Sequence, residues 1–135
     1  MDQLRSTINK KQKLLIQLLE ESSAELSGQE LHRVLQEYGQ GMGLATVYRH
    51  LRQLQQRGML RSRHLPTGEV LYAPLGRDQH HLNCLNCGAT EQLDYCPLHS
   101  LEVPKTLDRG FQLLFHTLEF YGICKDCQVF DEDSD

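Results

Sequence analysis

Two pairs of cysteines, Cys84-Leu-Asn-Cys87 and Cys124-Lys-Asp-Cys127, are the residues whose type and spacing specify chemistry most narrowly. Two thiolates separated by two residues can close on one ion at about 2.3 Å, and two such knuckles complete a tetrahedron with no open position. Gly88 follows the first pair and Gly122 precedes the second, so the backbone can turn tightly at each. This is the pattern of a structural zinc site, whose binding contributes to folding rather than to catalysis. A redox dithiol would sit in a thioredoxin-like strand-to-helix setting, and neither pair does.

A second set of donors is looser. Five of the seven histidines, His64, His80, His81, His99 and His116, lie at residue 64 or beyond, together with the unpaired Cys96. Any one of them alone reads as an ordinary surface or core residue. As a group they read differently, because thiolate sulfur with imidazole favours zinc over magnesium or manganese, and Asp78 could add an oxygen. The expectation is a second, regulatory metal site that can open and close, with ligands drawn from two domains. Hydrolytic or deaminating zinc chemistry does not fit. The four-thiolate set leaves no coordination position for water, and the sequence has no H-x-E with P-C-x-x-C, although Cys96-Pro97 touches that pattern. No enzyme, catalytic residue or small-molecule substrate is expected.

The elements that position these donors follow from periodicity. Ile8, Leu14, Leu15, Leu18 and Leu19 give Ile8–Glu21 one apolar helical stripe. Residues 22–26 form a connection. Ser27 with Glu30 forms a capping box opening a helix that buries Leu31, Val34 and Leu35 and ends near Gly39. A third helix, Leu44 to Arg57, places Leu44, Val47, Leu51 and Leu54 on one face and stops at Gly58. Alternation from Met59 to Arg63, a Pro66-Thr67-Gly68 turn and Glu69–Tyr72 make a hairpin. Three helices and then a hairpin describe a winged helix-turn-helix whose third helix enters the major groove of double-stranded DNA. That helix offers Thr46, Tyr48, Arg49, Arg52 and Gln53, and the hairpin offers Arg61 and Arg63 to phosphates. Such a half argues against a plain zinc-ribbon interaction module. Further on, short strands are expected near 81–83 and 89–93 and a helix near 98–108. A long final strand, 111–121, carries apolar residues on both faces, as at a dimer interface.

Charge divides the chain in the same place. Residues 1–75 hold ten Lys/Arg against seven Asp/Glu, whereas 76–135 hold four against eleven. A basic half can meet phosphate while an acidic half collects cations. The expected fold is α+β. Residues 1–74 form a winged-helix DNA-binding domain, 75–79 a hinge linker, 80–130 a small α/β dimerisation and metal-binding domain, and 131–135 an acidic disordered tail. Halves this small need a metal or a second copy to be stable. With no long apolar run and a polar N-terminus, the expected setting is the cytoplasm, away from membranes.

Gly43-Leu-Ala-Thr-Val-Tyr-Arg49, His81-Leu-Asn-Cys-Leu-Asn-Cys-Gly88 and His116-Thr-Leu-Glu-Phe-Tyr-Gly-Ile-Cys-Lys-Asp-Cys127 occur in that order. On these segments the chain resembles the ferric uptake regulator family of metal-responsive transcription factors over nearly its whole length. The resemblance implies a homodimer that binds palindromic operators when its sensory metal is present. It implies DNA contacts by Tyr48 and Arg49 and structural zinc at the four knuckle cysteines. It also implies one sensory site matching Asp78, His80, His99 and His116 and a hinge site matching His64 and His81. Departures are visible. The cysteine that zinc-sensing members carry after the wing strand is Pro74-Leu75 here, and Gln79 replaces a frequent histidine. Gln12 stands where an arginine is common, which would pass phosphate contact to Lys10, Lys11 or Lys13. The nitrogen-rich donor set with a spare thiolate points to zinc sensing and control of zinc-homeostasis genes, as a repressor of uptake genes. An iron- or peroxide-responsive regulator of the same family is the alternative.

Overall fold

A computed structural model describes residues 8–76, 80–93 and 109–128. The chain divides into two compact units, Met1–His64 with Gly68–Arg77 and Leu65–Thr67 with Asp78–Asp135.

The first unit contains α1 (Lys10–Glu21), β1 (Leu26–Ser27), α2 (Gly28–Glu37), α3 (Leu44–Gln56), β2 (Leu60–His64) and β3 (Val70–Pro74). Each helix begins where local chemistry lets it. The Asn9 side chain accepts from the Gln12 N–H and the Gln12 side chain returns the bond to the Asn9 N–H, a capping box that opens α1. Ser27 and Glu30 do the same for α2, at 3.1 and 2.9 Å. Gly58, at φ 72°, follows the C-cap of α3 in the left-handed region that costs glycine nothing. The stripes of the three helices meet in one cluster with Leu60 and Tyr72, including Leu15, Leu19, Leu31, Leu35, Val47, Leu51 and Leu54, all fully buried.

The hairpin is antiparallel, pairing Leu60 with Pro74 through His64 with Val70. The connection expected over 22–26 is not wholly irregular. Leu26 and Ser27 pair with Tyr72 and Leu71, so the sheet has three strands in the order β1-β3-β2. Two residues are too short for a periodic signal, so only the partner strand reveals this one.

The second unit holds β4 (His81–Cys84), β5 (Thr90–Gln92), β6 (Glu119–Gly122) and a 3₁₀ turn (Lys125–Gln128), with strand order β5-β4-β6. β4 runs antiparallel to β5 and parallel to β6. Asn83 fastens all three strands. It accepts from Thr90 Oγ1 at 3.0 Å, and its amide donates to Glu119 Oε1 at 3.1 Å and the Phe120 carbonyl at 3.3 Å. The final strand is far shorter than its alternation predicts. β4 is four residues long and its register uses only Glu119–Gly122, so 111–118 have no ladder there and are not a strand. Phe111, Leu113 and Leu114 on that segment are 73%, 58% and 37% exposed while Phe115 and Leu118 are half-buried, so neither face is fully covered. The expected helix near 98–108 lies outside the described residues. Among the described residues no helix is long and apolar enough to cross a membrane.

Candidate metal centre and nucleic-acid interface

β4 ends on Cys84 and the chain turns at once. The Cys84 N–H donates to the Ala89 carbonyl and the Gly88 N–H to the Cys84 carbonyl, with Gly88 at φ 79°. β6, parallel to β4, delivers Cys124 beside this turn, and the Cys127 N–H closes on the Cys124 carbonyl at 3.0 Å. The four sulfurs all lie within 4.8 Å of one another. Cys87 and Cys124 are 3.8 Å apart, the separation that a tetrahedron with bonds of about 2.3 Å requires. Peptide N–H groups of Cys124, Asn86 and Cys87 approach Cys84 Sγ at 3.3, 3.4 and 3.5 Å. These donors, that of Cys124 foremost and Cys87 next, lower the Cys84 thiol to a pKa of about 6. Cys127 is pushed up to about 12. The Asn86 side chain pulls it down most, but the facing thiols of Cys124, Cys84 and Cys87 together with burial outweigh it. Four thiols that cannot all ionise side by side without a cation fit a divalent metal with an affinity for sulfur.

The second donor set is brought together in part. His80 and His81 are 1% and 3% exposed. The rings of His80 and His116 stack with centroids 5.3 Å apart. His116 itself is exposed and precedes β6, not on an inner strand as the pattern suggested. His81 pairs in register with Glu119, and its Nδ1 lies 3.6 Å from Glu119 Oε2. Glu119 was not among the expected ligands. Its proximity comes from the parallel β4–β6 register, which no local spacing encodes. His64 is exposed at the end of β2 in the first unit. Asp78, Cys96 and His99 lie outside the described residues.

On α3, Val47, His50, Leu51 and Leu54 face inward and leave Tyr48, Arg49, Arg52 and Gln53 exposed, with Thr46 half-buried. Tyr48 lies across the start of α2. A Cβ added at Gly28 would meet its ring carbons at 2.5 and 2.6 Å, so glycine there makes room for the tyrosine. Lys10, Lys11 and Lys13 are exposed on α1. The wing arginines are a correction. Arg61 and Arg63 are 7% and 5% exposed, and Arg63 Nε donates to both Glu25 oxygens at 2.7 and 3.0 Å. Alternation along the strand does not say which face is covered, and here Glu25, just before β1, takes up Arg63. The residue before α3's acidic-free first turn, Gly43, supplies no side-chain cap, so the helix start stays open.

The profile of the ferric uptake regulator family matches residues 2–121. A ferric uptake regulation protein of Neisseria gonorrhoeae is 34% identical over 117 residues, 85% of this chain and 81% of that protein. A zinc uptake regulation protein of Mycobacterium tuberculosis is 34% identical over 112 residues, 82% and 86% of the two chains. The ferric uptake regulator of Francisella tularensis, solved with iron, superimposes with a TM-score of 0.62 at 25% identity, covering 90% of this chain and 94% of that one. With the winged helix-turn-helix and the clustered cysteines, these matches identify the chain as a member of the ferric uptake regulator family, metal-responsive transcriptional regulators and not enzymes.

Proposed function

We propose that the chain is a zinc-responsive regulator that binds palindromic operator DNA as a homodimer and controls zinc-homeostasis genes. The observation that carries the choice of metal is the donor chemistry: clustered thiolates at Cys84, Cys87, Cys124 and Cys127, and imidazoles at His80, His81 and His116. The zinc uptake regulation protein among its relatives supports the same reading. In it, the four cysteines keep a structural zinc ion. Asp78, His80, His99 and His116 make one sensory set, His64 and His81 contribute to a hinge set, and Cys96 adds a spare thiolate.

In this reading residues 1–74 bind DNA, 75–79 act as the hinge, and 80–130 dimerise and hold metal; 131–135 lie outside the described residues. The exposed Phe111, Leu113 and Leu114 support dimerisation, being apolar surface that a second copy would cover. Tyr48, Arg49, Arg52 and Thr46 address the groove and Lys10, Lys11 and Lys13 the phosphates. Metal can favour DNA binding only by binding the DNA-competent geometry more tightly than the open one. One observation favours the alternative of an iron- or peroxide-responsive regulator: the Glu119 carboxylate beside His81 supplies an oxygen donor suited to a harder ion.

A gel shift on a palindromic duplex, with purified dimer titrated by zinc, iron(II) and manganese and then treated with chelator, tests this. Zinc-dependent, chelator-reversible binding is the expected result. Activation by iron(II) or manganese with no response to zinc would overturn the metal assignment, and metal-independent binding would overturn the sensor.

A further inference from the structure

Gln12, the residue standing where the family resemblance leads one to expect an arginine, does not face solvent. It is 5% exposed and spans the gap from α1 to α3. Its side-chain orientation is set by a group that cannot be reversed. The peptide N–H of Asn9 can only donate, and Gln12 Oε1 accepts from it at 3.4 Å within the capping box. The amide nitrogen of Gln12 therefore points at α3, where it lies 3.1 Å from His50 Nδ1 and 2.8 Å from Gln53 Oε1. An NH₂ group has two hydrogens, one for each. His50, 7% exposed, and Gln53 are three apart and share this side of α3. Both must accept. His50 then keeps its proton on Nε2, and Gln53 turns its oxygen inward and its NH₂ outward.

We propose that Gln12 fixes the polarity with which Gln53 meets DNA, making Gln53 a hydrogen-bond donor that selects acceptor edges at one operator position. The proposal rests on the DNA-binding reading above. A glutamine with both ends free reads adenine with two bonds, accepting from N6 and donating to N7. With its oxygen turned inward onto a nearly buried donor, Gln53 presents its donating half to DNA. Its partners are then guanine O6 or N7, adenine N7, thymine O4 or a phosphate oxygen, whereas cytosine offers only a donor in the major groove. Turning Gln53 over would set NH₂ against NH₂ beside a buried group, and an unsatisfied buried donor is costly. Burial, with the nearby charges of Arg49 and Lys11, holds the His50 pKa below its ordinary value, so the accepting lone pair persists near neutral pH. Gln12 touches no DNA in this scheme and is a positioning residue.

Two measurements on the full-length, zinc-loaded protein decide it. Nitrogen-15 NMR of histidine-labelled protein, with His50 assigned through His50→Gln, should show Nδ1 unprotonated. A proton on Nδ1 at neutral pH would overturn the relay whether or not DNA is bound. In parallel, duplexes with a randomised palindromic half-site are selected with the wild type, Gln12→Glu, Gln53→Glu and Gln53→Met. The wild type should disfavour cytosine at one position, the base with no acceptor in the major groove. Gln12→Glu cannot donate and should release Gln53 to present its oxygen. Gln53→Glu places an acceptor outward while altering only the exposed end, which keeps the test open if Gln12→Glu folds poorly. Both should shift that position toward cytosine by about tenfold in relative affinity, and Gln53→Met should lose the preference. An identical motif from all four proteins would sink the proposal. If no protein enriches any duplex, the DNA-binding reading fails and this proposal falls with it, whereas the NMR result still reports on the relay alone.

Discussion

In the first unit the fully buried side chains include Leu15, Leu19, Leu31, Leu35, Val47, Leu51, Leu54 and Leu60. In the second unit the buried residues among those described are His80, His81, Asn83 and Cys84. The first set removes apolar surface from water and needs nothing else to do so. The second set is made of groups that bind metals or hydrogen-bond, and burying them is costly unless they have partners. A small unit with such an interior depends on what it binds. The comparison assigns the two jobs of a metal-responsive regulator to two kinds of interior. On the function proposed above, the apolar interior keeps a DNA-reading surface in shape and the polar one is where a cation would act.

The largest effect expected from this contrast is the response to metal removal. Stripping the ion with a strong chelator, or making Cys87→Ser with Cys124→Ser, should abolish cooperative folding of the second unit. The first unit should keep its helical circular dichroism, because the metal-binding free energy is folding free energy only where the ligands are. Joint unfolding of both units would erase the distinction. Next in size, Leu51→Ala should cost about 2–5 kcal/mol by leaving a cavity among the helices, and zinc content measured by a chromophoric chelator should not change.

Arg63→Ala should cost on the order of 3 kcal/mol, since it takes the guanidinium from a Glu25 side chain only 12% exposed. Arg52→Ala, on the exposed face, should leave stability within about 0.5 kcal/mol yet weaken binding to the selected operator by about 1–3 kcal/mol. A fall of about one in the salt dependence of DNA affinity for Arg63→Ala, with stability unchanged, would show that the wing arginine is a phosphate contact after all.

The smallest effect is a pH dependence confined to the first unit. His50 has its folded pKa lowered from 6.5, by burial first and then by Arg49 and Lys11. The unfolded chain therefore binds more protons than the folded one between the two values. Stability is fully present above about 6.5 and falls as pH drops from there toward the lowered folded pKa. His50→Gln should flatten that part of the melting-temperature profile at saturating zinc. An unchanged slope would remove His50 as its source.

Much of this was legible before any coordinates. The Ser27–Glu30 capping box, the stripe on α3 and the stop at Gly58 act over three or four residues, so local sequence encodes them. The long strand over 111–121 was misread because alternation records which side chains could be covered, not which backbone has a neighbour. Among the described residues of that stretch, Glu119–Gly122 pair in a ladder and Leu118 adds one carbonyl bond from the His81 N–H. Arg61 and Arg63 were misplaced for a related reason, since the covered face of a strand is decided by what packs on it. Glu119 and the Gln12–His50–Gln53 relay were missed because their parts are 38 and 41 residues apart in the chain.

By itself, the sequence pointed to two C-x-x-C knuckles that could converge on one tetrahedral metal site, because two thiolates from each supply four donors. It also determined the order of helices and wing. Only the tertiary structure decided which neighbours those residues acquire: Glu119 beside His81, Glu25 on Arg63, and Gln12 turned inward to hold Gln53. Hydrogen bonds and ion pairs act over about 3 Å, and that proximity exists only after the strands are in register and the helices are packed.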